Sequence, residues 1–301
     1  MGTFVGHFLL GFALALLGLW HIFNTARAFF FHGSNNFKSR FSYPLKILQC
    51  QFQNLDLILI LSFSIPAIVT QVFDFPVIRL VFRLDNLEHA SMFLHLLLFS
   101  GFTLLSELTQ TSENLSGVIG ILASSVFGQE LFLLHFHSTD HVGIEGHYHW
   151  LLQLIVLVSF LSAITVTLMP SSLPASLVLA VSVTFQGLWF INMGFMLWVP
   201  ELVSRGCSLK SGQPMHYGDA TVVCGSKEAD FRARALANLQ FSWILSTLLV
   251  FTGSMCLKLA RSNESDGKRA AEYQKLQSSR GVELYPALSI GGFKQDHSLG
   301  L

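Results

Sequence analysis

The sequence is poor in charge, in cysteine and in catalytic signatures, and each shortage removes a class of protein. Only 12% of its 301 residues are Asp, Glu, Lys or Arg, about half the share of a water-soluble domain. The 18 basic residues balance 18 acidic ones, so no bulk field draws the chain to nucleic acid. Four cysteines are too few for a disulfide-stapled scaffold. The opening stretch MGTFVGHFLLGFALALLGLWHIF lacks the basic n-region and small-residue cleavage site of a removable signal peptide. It reads as a retained membrane anchor. Gly6 stands where N-myristoylation needs Ser or Thr. HExxH, CxxC, Walker and GxSxG patterns are absent, so no reaction class follows and the sequence does not decide whether the protein is an enzyme. No internal repeat or separate soluble domain interrupts the pattern.

What is abundant is apolar length. Half of the chain is hydrophobic and the mean hydropathy is +0.54. A bilayer core needs roughly 20 apolar residues per helix. Seven stretches meet or approach that length: Val5–Phe23, Leu55–Phe73, Leu87–Leu105, Val118–Leu134, His149–Met169, Ala175–Trp198 and Leu236–Leu257. The expected fold is an all-α, polytopic, seven-span membrane bundle over residues 1–258. A polar tail over 259–301 is expected to be mobile and cytoplasmic, with room for a short helix at Lys268–Gln277. Pro66 is placed to bend the second span. Gly101, Gly128, Gly187 and Gly194 mark sites of close helix approach.

Basic residues orient the bundle. The side holding Arg27, Lys38, Arg40, Lys46 and the tail carries 11 of them, against seven for the side holding Arg79, Arg83, Arg205, Lys210, Lys227, Arg232 and Arg234. The positive-inside rule then puts the C-terminus in the cytoplasm and the N-terminus outside or in a lumen, at the plasma membrane or an endomembrane. Cys207 and Cys224, in the polar loop before the seventh span, are expected to pair there as a disulfide. Cys50 and Cys256 lie near the opposite face. The sequons at Asn114 and Asn263 fall on the cytoplasmic side and are expected to stay unglycosylated.

Histidine is the informative residue. Five of the chain's 12 lie between His135 and His149, in HFHSTDHVGIEGHYH. His7 begins the first span and His89 the third; His135 and His137 end the fourth; His147 and His149 begin the fifth. All six are expected at one non-cytoplasmic boundary, with Glu130 seven residues, two helical turns, below His137. A carboxylate at that depth needs a proton, a partner or an ion. His7, His89, Glu130, His135, His137, Glu145, His147 and His149 form a donor set that suits Zn2+ or another divalent transition metal. Three roles stay open for them: hydrogen bonding between helices, holding a metal, or handling protons or substrate. Gln186, Asn192, Asn238 and Gln240 extend the polar interior. Trp189, Phe190 and Trp198 read first as packing and an interfacial aromatic belt.

The residues GHFLLG from Gly6 to Gly11, GLWH from Gly18 to His21, Glu88-His89 and FHSTDHVGIEGHYH resemble the transmembrane protein 45 family, also called domain of unknown function 716. The resemblance runs from Met1 to Leu257 and is nearest the plant branch. The family's HxH, turn, acidic residue and HxH pattern maps onto His135, His137, Glu145, His147 and His149, and His7, His89 and Glu130 match its other polar positions. The turn Ser138–Ile144, with Asp140 and His141, is longer than in the animal members. The resemblance implies a multi-pass membrane protein without established activity and supplies no catalytic residue. Four functional expectations follow. The first is a membrane protein with a metal-binding histidine–carboxylate cluster near its outer face. The others are a metal-dependent intramembrane lipid hydrolase, a transporter or proton-coupled carrier, and a non-enzymatic stress-response scaffold. The bilayer, and a lipid or small-molecule ligand, are the expected partners.

Overall fold

Inside a bilayer, an apolar run must satisfy its own backbone, and the helix does so within one segment. A computed structural model describes residues 4–282 apart from 34–35, 44, 48–49, 53, 75–78, 81–83, 138–142 and 212–219. It contains the helices α1 (Phe4–His32), α2 (Leu55–Val72), α3 (Leu84–Leu108), α4 (Ser116–His137), α5 (Ile144–Leu168), α6 (Leu173–Trp198) and α7 (Lys227–Val282). Among the described residues, seven helices are long and apolar enough to cross a membrane. The chain is an all-α, seven-span integral membrane protein.

The helices overrun the apolar segments at both ends of the chain. α1 passes Phe23 and continues to His32 because nothing in Asn24–His32 breaks it. Asn24 Nδ2 donates to the Trp20 carbonyl at 2.8 Å, and Gly33 follows the helix with φ +82°. α7 starts at Lys227, well before Leu236. Ser226 Oγ accepts from Ala229 N at 3.2 Å, which caps the first turn. Arg234 Nε donates to Asp230 Oδ2 at 2.8 Å one turn along. Helix ends are set by caps and breakers, hydropathy by the membrane, and the two need not coincide.

Contacts divide the chain into two units, Met1–Leu257 and Lys258–Leu301. In the second unit, α7 is continuous to Val282, so Lys268–Gln277 belongs to a long helix rather than an isolated short one.

Among the described residues, three antiparallel hairpins accompany the helices: β1 (Leu45–Ile47) with β2 (Cys50–Phe52), β3 (Phe73–Asp74) with β4 (Arg79–Leu80), and β5 (Cys207–Ser211) with β6 (Ala220–Cys224). In the last, Cys207 lies opposite Cys224 in register, and the two sulfurs are bonded at 2.06 Å.

α1 lies antiparallel along α6, and glycine permits it. A methyl group on Gly11 would come within 2.6 Å of the Gly187 carbonyl oxygen. On Gly18 it would overlap Thr184, and on Gly187 the Ala15 backbone. A methyl group on Gly128 would lie 3.0 Å from the Phe160 ring, whereas on Gly101 it would make only ordinary contact with Leu61. The core sits between α5 and α6, where Leu152, Val156, Trp189 and Met193 are fully enclosed. α7 joins it through Phe241, which packs on Phe185 and Trp189 with ring centroids 4.7 and 5.3 Å apart.

Candidate functional site

A cavity of about 230 Å³ opens inside the first unit, walled by α1, α3, α4, α5 and α6. Its α1 wall is the stripe His7, Leu10, Leu14, Leu17, His21 and Thr25, one face of a helix at steps of three and four. From His7 to Thr25 that stripe covers about 27 Å at roughly 1.5 Å per residue, close to the thickness of a bilayer core. α6 supplies Ser176, Leu179, Val183, Gln186 and Phe190 with the same spacing. The middle is apolar, contributed by Leu14, Met92, Leu96, Val126, Phe127 and Val183.

The two ends are polar and differ in chemistry. Near the start of α1 the lining includes His7, Glu88, His89, Glu130, Glu145 and His149. At the other end it includes His21, Thr25, Ser39 and Arg40. Arg40 faces Glu113 across 3.7 Å, with both groups mostly in solvent, a pair worth less than about 1 kcal/mol.

The expected metal site does not form. Among the described residues, no group of three or more His, Cys, Asp or Glu is placed to hold a metal ion. The histidine–carboxylate cluster is therefore corrected to dispersed groups, of which His7, His89, Glu130, Glu145 and His149 line the cavity, and the Zn2+ or other divalent cofactor falls with it. So does the metal-dependent hydrolase that required such an ion.

The physical reason is azimuth. Shared depth brings rings to one layer, but each helix turns them toward different neighbours. His7 is buried against Trp198, ring centroids 4.5 Å apart, with Phe190 at 5.9 Å. His147 Nε2 lies 2.8 Å from Asn238 Oδ1 on α7, away from the cavity. His149 Nδ1 lies 3.0 Å from the Glu145 carbonyl on its own helix. His135 is exposed and sets its ring edge-on to Phe136. His89, Glu130 and Glu145 line the cavity without converging on a common ligand point. The side chain of His137, and all of Asp140 and His141, lie outside the described residues.

The amides on the later helices form a network. Tyr148 OH donates to Gln240 Oε1 at 2.9 Å, and Asn192 Nδ2 donates to the same oxygen at 3.1 Å. Trp189 Nε1 donates to the Tyr148 carbonyl at 3.1 Å. Gln186 Nε2 donates to Ser159 Oγ at 2.7 Å, and Ser159 passes its own proton to Ser182 Oγ at 2.8 Å. Ser182 completes the relay on the Leu179 carbonyl. Gln186 Oε1 is buried and has no hydrogen-bond partner among the described residues.

Asp56 went unremarked in the sequence although it organises the His21 end. Its Oδ1 accepts from Ser42 Oγ and Leu57 N, both at 2.9 Å, and its Oδ2 from Tyr43 N at 3.0 Å. His21 Nε2 stands 4.0 Å from Oδ2, too far for a hydrogen bond, with its ring edge-on to Tyr43. Tyr43 OH lies 3.2 Å from Thr25 Oγ1. Burial pushes the Tyr43 phenol above its ordinary pKa, so it stays neutral. The available signal was an aspartate in the first turn of an otherwise apolar helix, where the helix dipole favours it but a bilayer does not.

Fold and cavity together define a seven-span membrane protein with an intramembrane chamber, apolar at its centre and polar at both ends. Residues 116–257 match the model of a family of unknown function, DUF716, and that segment is similar to it. The match covers α4 to α6 and the membrane part of α7, a narrower span than the resemblance from Met1.

Proposed function

We propose that this protein binds a lipid-like amphiphile in the chamber between α1, α3, α4, α5 and α6. The carrying observation is one cavity about 230 Å³ in volume that joins an apolar midsection to two polar ends. A site of that kind recognises a molecule with both characters, because burial of the chain drives binding while a few fixed polar groups orient it. The bilayer supplies such molecules at high local concentration. Filling the chamber should therefore remove binding without unfolding the bundle. Val183→Trp is expected to lower occupancy by a photoactivatable single-chain lipid at least about tenfold, on the scale of losing one buried anchor. Cross-linking of the purified protein in nanodiscs, mapped by mass spectrometry, reads this. Undiminished labelling of α1 and α6 peptides in the variant would refute the site.

The orientation belongs to the same reading. The N-terminus and the β5–β6 hairpin face outside or a lumen, and residues 259–301 face the cytoplasm. The 11-to-seven division of basic residues supports this, and so does the bonded Cys207–Cys224 pair, a chemistry that persists in oxidising compartments. In sealed right-side-out vesicles, an impermeant thiol reagent is expected to label both cysteines only after reduction by an impermeant phosphine. Labelling of Cys207 and Cys224 only after permeabilisation would reverse the assignment, and labelling without reductant would remove the disulfide that supports it.

A further inference from the structure

We infer that the amphiphile carries a protonated amine, which docks at the level of Glu130 and Gln186 in the wall of the chamber. This deepens the reading above and rests on it. The two residues share a depth because α5 is a common ruler for both. Gly128 on α4 packs against Phe160, and Gln186 on α6 donates to Ser159. Glu130 and Gln186 thus stand within about one turn of each other along the bundle axis.

Both present acceptors. The direction of the Gln186–Ser159–Ser182 relay commits the amide nitrogen and leaves the oxygen as the surplus group. That oxygen belongs to a residue with 0% exposure and has no partner among the described residues, and an unmet buried acceptor is costly until a donor arrives. At the same level Glu130 brings to the chamber wall a carboxyl group, which ionises when a cationic partner arrives.

The described lining residues include one arginine, Arg40, which is at the His21 end, and no lysine. Among the described lining residues, the wall at this level therefore supplies a carboxyl group and a free amide acceptor but no lysine or arginine. A head group that brings N–H donors and a positive charge satisfies both. An anionic head satisfies neither, and a neutral hydroxyl meets the amide alone. Charge-assisted hydrogen bonds are roughly twice as strong as neutral ones, which sets the expected preference.

The test uses the full chain in nanodiscs and three probes with one alkyl chain: a long-chain primary amine, the alcohol and the carboxylate. The amine is expected to bind at least about tenfold more tightly than the alcohol, and the carboxylate most weakly. Glu130→Gln should cut amine affinity about tenfold and leave the alcohol within about twofold. Gln186→Met should weaken amine and alcohol alike, since both lose the same acceptor. Equal binding of amine and alcohol to the unaltered protein, or an amine affinity indifferent to Glu130→Gln, overturns the inference while the chamber reading stands. Failure of all three probes to bind overturns both. Should Glu130→Gln fail to fold, the ranking of the three probes on the unaltered protein decides alone.

Discussion

Gly187→Leu is expected to destroy the folded bundle, with a loss of at least about 3 kcal/mol, the upper range of overpacking costs. The position admits no side chain at all. Even the first carbon would overlap the backbone of Ala15, and the Gly11 carbonyl lies as close from the same helix. A flexible side chain can swing aside, whereas a helix backbone cannot, so α1 must move away from α6 along its length. That movement also dismantles the chamber, because α1 and α6 form two of its walls. The matched control is Gly253→Ala in α7, where a methyl group meets nothing within 4 Å. There the expected change is a gain of up to about 1 kcal/mol from helix propensity. Unfolding midpoints in detergent, measured for both variants, should move in opposite directions. A midpoint for Gly187→Leu equal to that of the unaltered protein would contradict the α1–α6 packing.

Trp189→Ala should cost about 3–5 kcal/mol, as for other large buried aromatics. Trp189 has 0% exposure and ties three helices together. Its Nε1 holds the Tyr148 carbonyl on α5, its ring lies 5.4 Å from that of Tyr148, and Phe241 of α7 packs edge-on to it. Truncation leaves a cavity at the junction and removes the indole's hydrogen bond across it. α7 has little other enclosed surface, with 11% of its spanning window buried, so its attachment should suffer first. Limited proteolysis is expected to release α7 peptides earlier than α1 or α6 peptides. Trp243→Ala is the contrast: that ring is 67% exposed, and its loss should change the midpoint by less than about 0.5 kcal/mol. Equal effects of the two tryptophans would overturn the placement of α7.

The seven spans were legible because the bilayer writes its thickness into each one locally. Leu55–Val72 and Leu173–Trp198 could be located from their own residues alone. Their ends were less legible, as α1 and α7 show, because helices stop at Gly33 or start at a Ser226 cap rather than where hydropathy changes. The histidines mark the difference between depth and convergence. Sequence position sets how far along its helix each one lies, and that much was readable for His7, His89, His147 and His149. Which way each ring turns depends on neighbours tens of residues away, such as Asn238 for His147. The metal-binding expectation failed at that step. Asp56 was overlooked for the same reason: its partners Ser42 and Tyr43 come from a loop that folds back onto α2.

Alone, the amino-acid order determined that this protein crosses a membrane seven times and concentrates its polar groups near the helix ends, because hydrophobic length is a property of each segment by itself. Tertiary structure decided that several of those polar groups, His7, His89, Glu130, Glu145 and His149 among them, border an elongated chamber instead of closing on an ion. A chamber is the space between helices, and its shape depends on how closely Gly11, Gly18 and Gly187 let α1 approach α6 while α3 and α4 stand across from them.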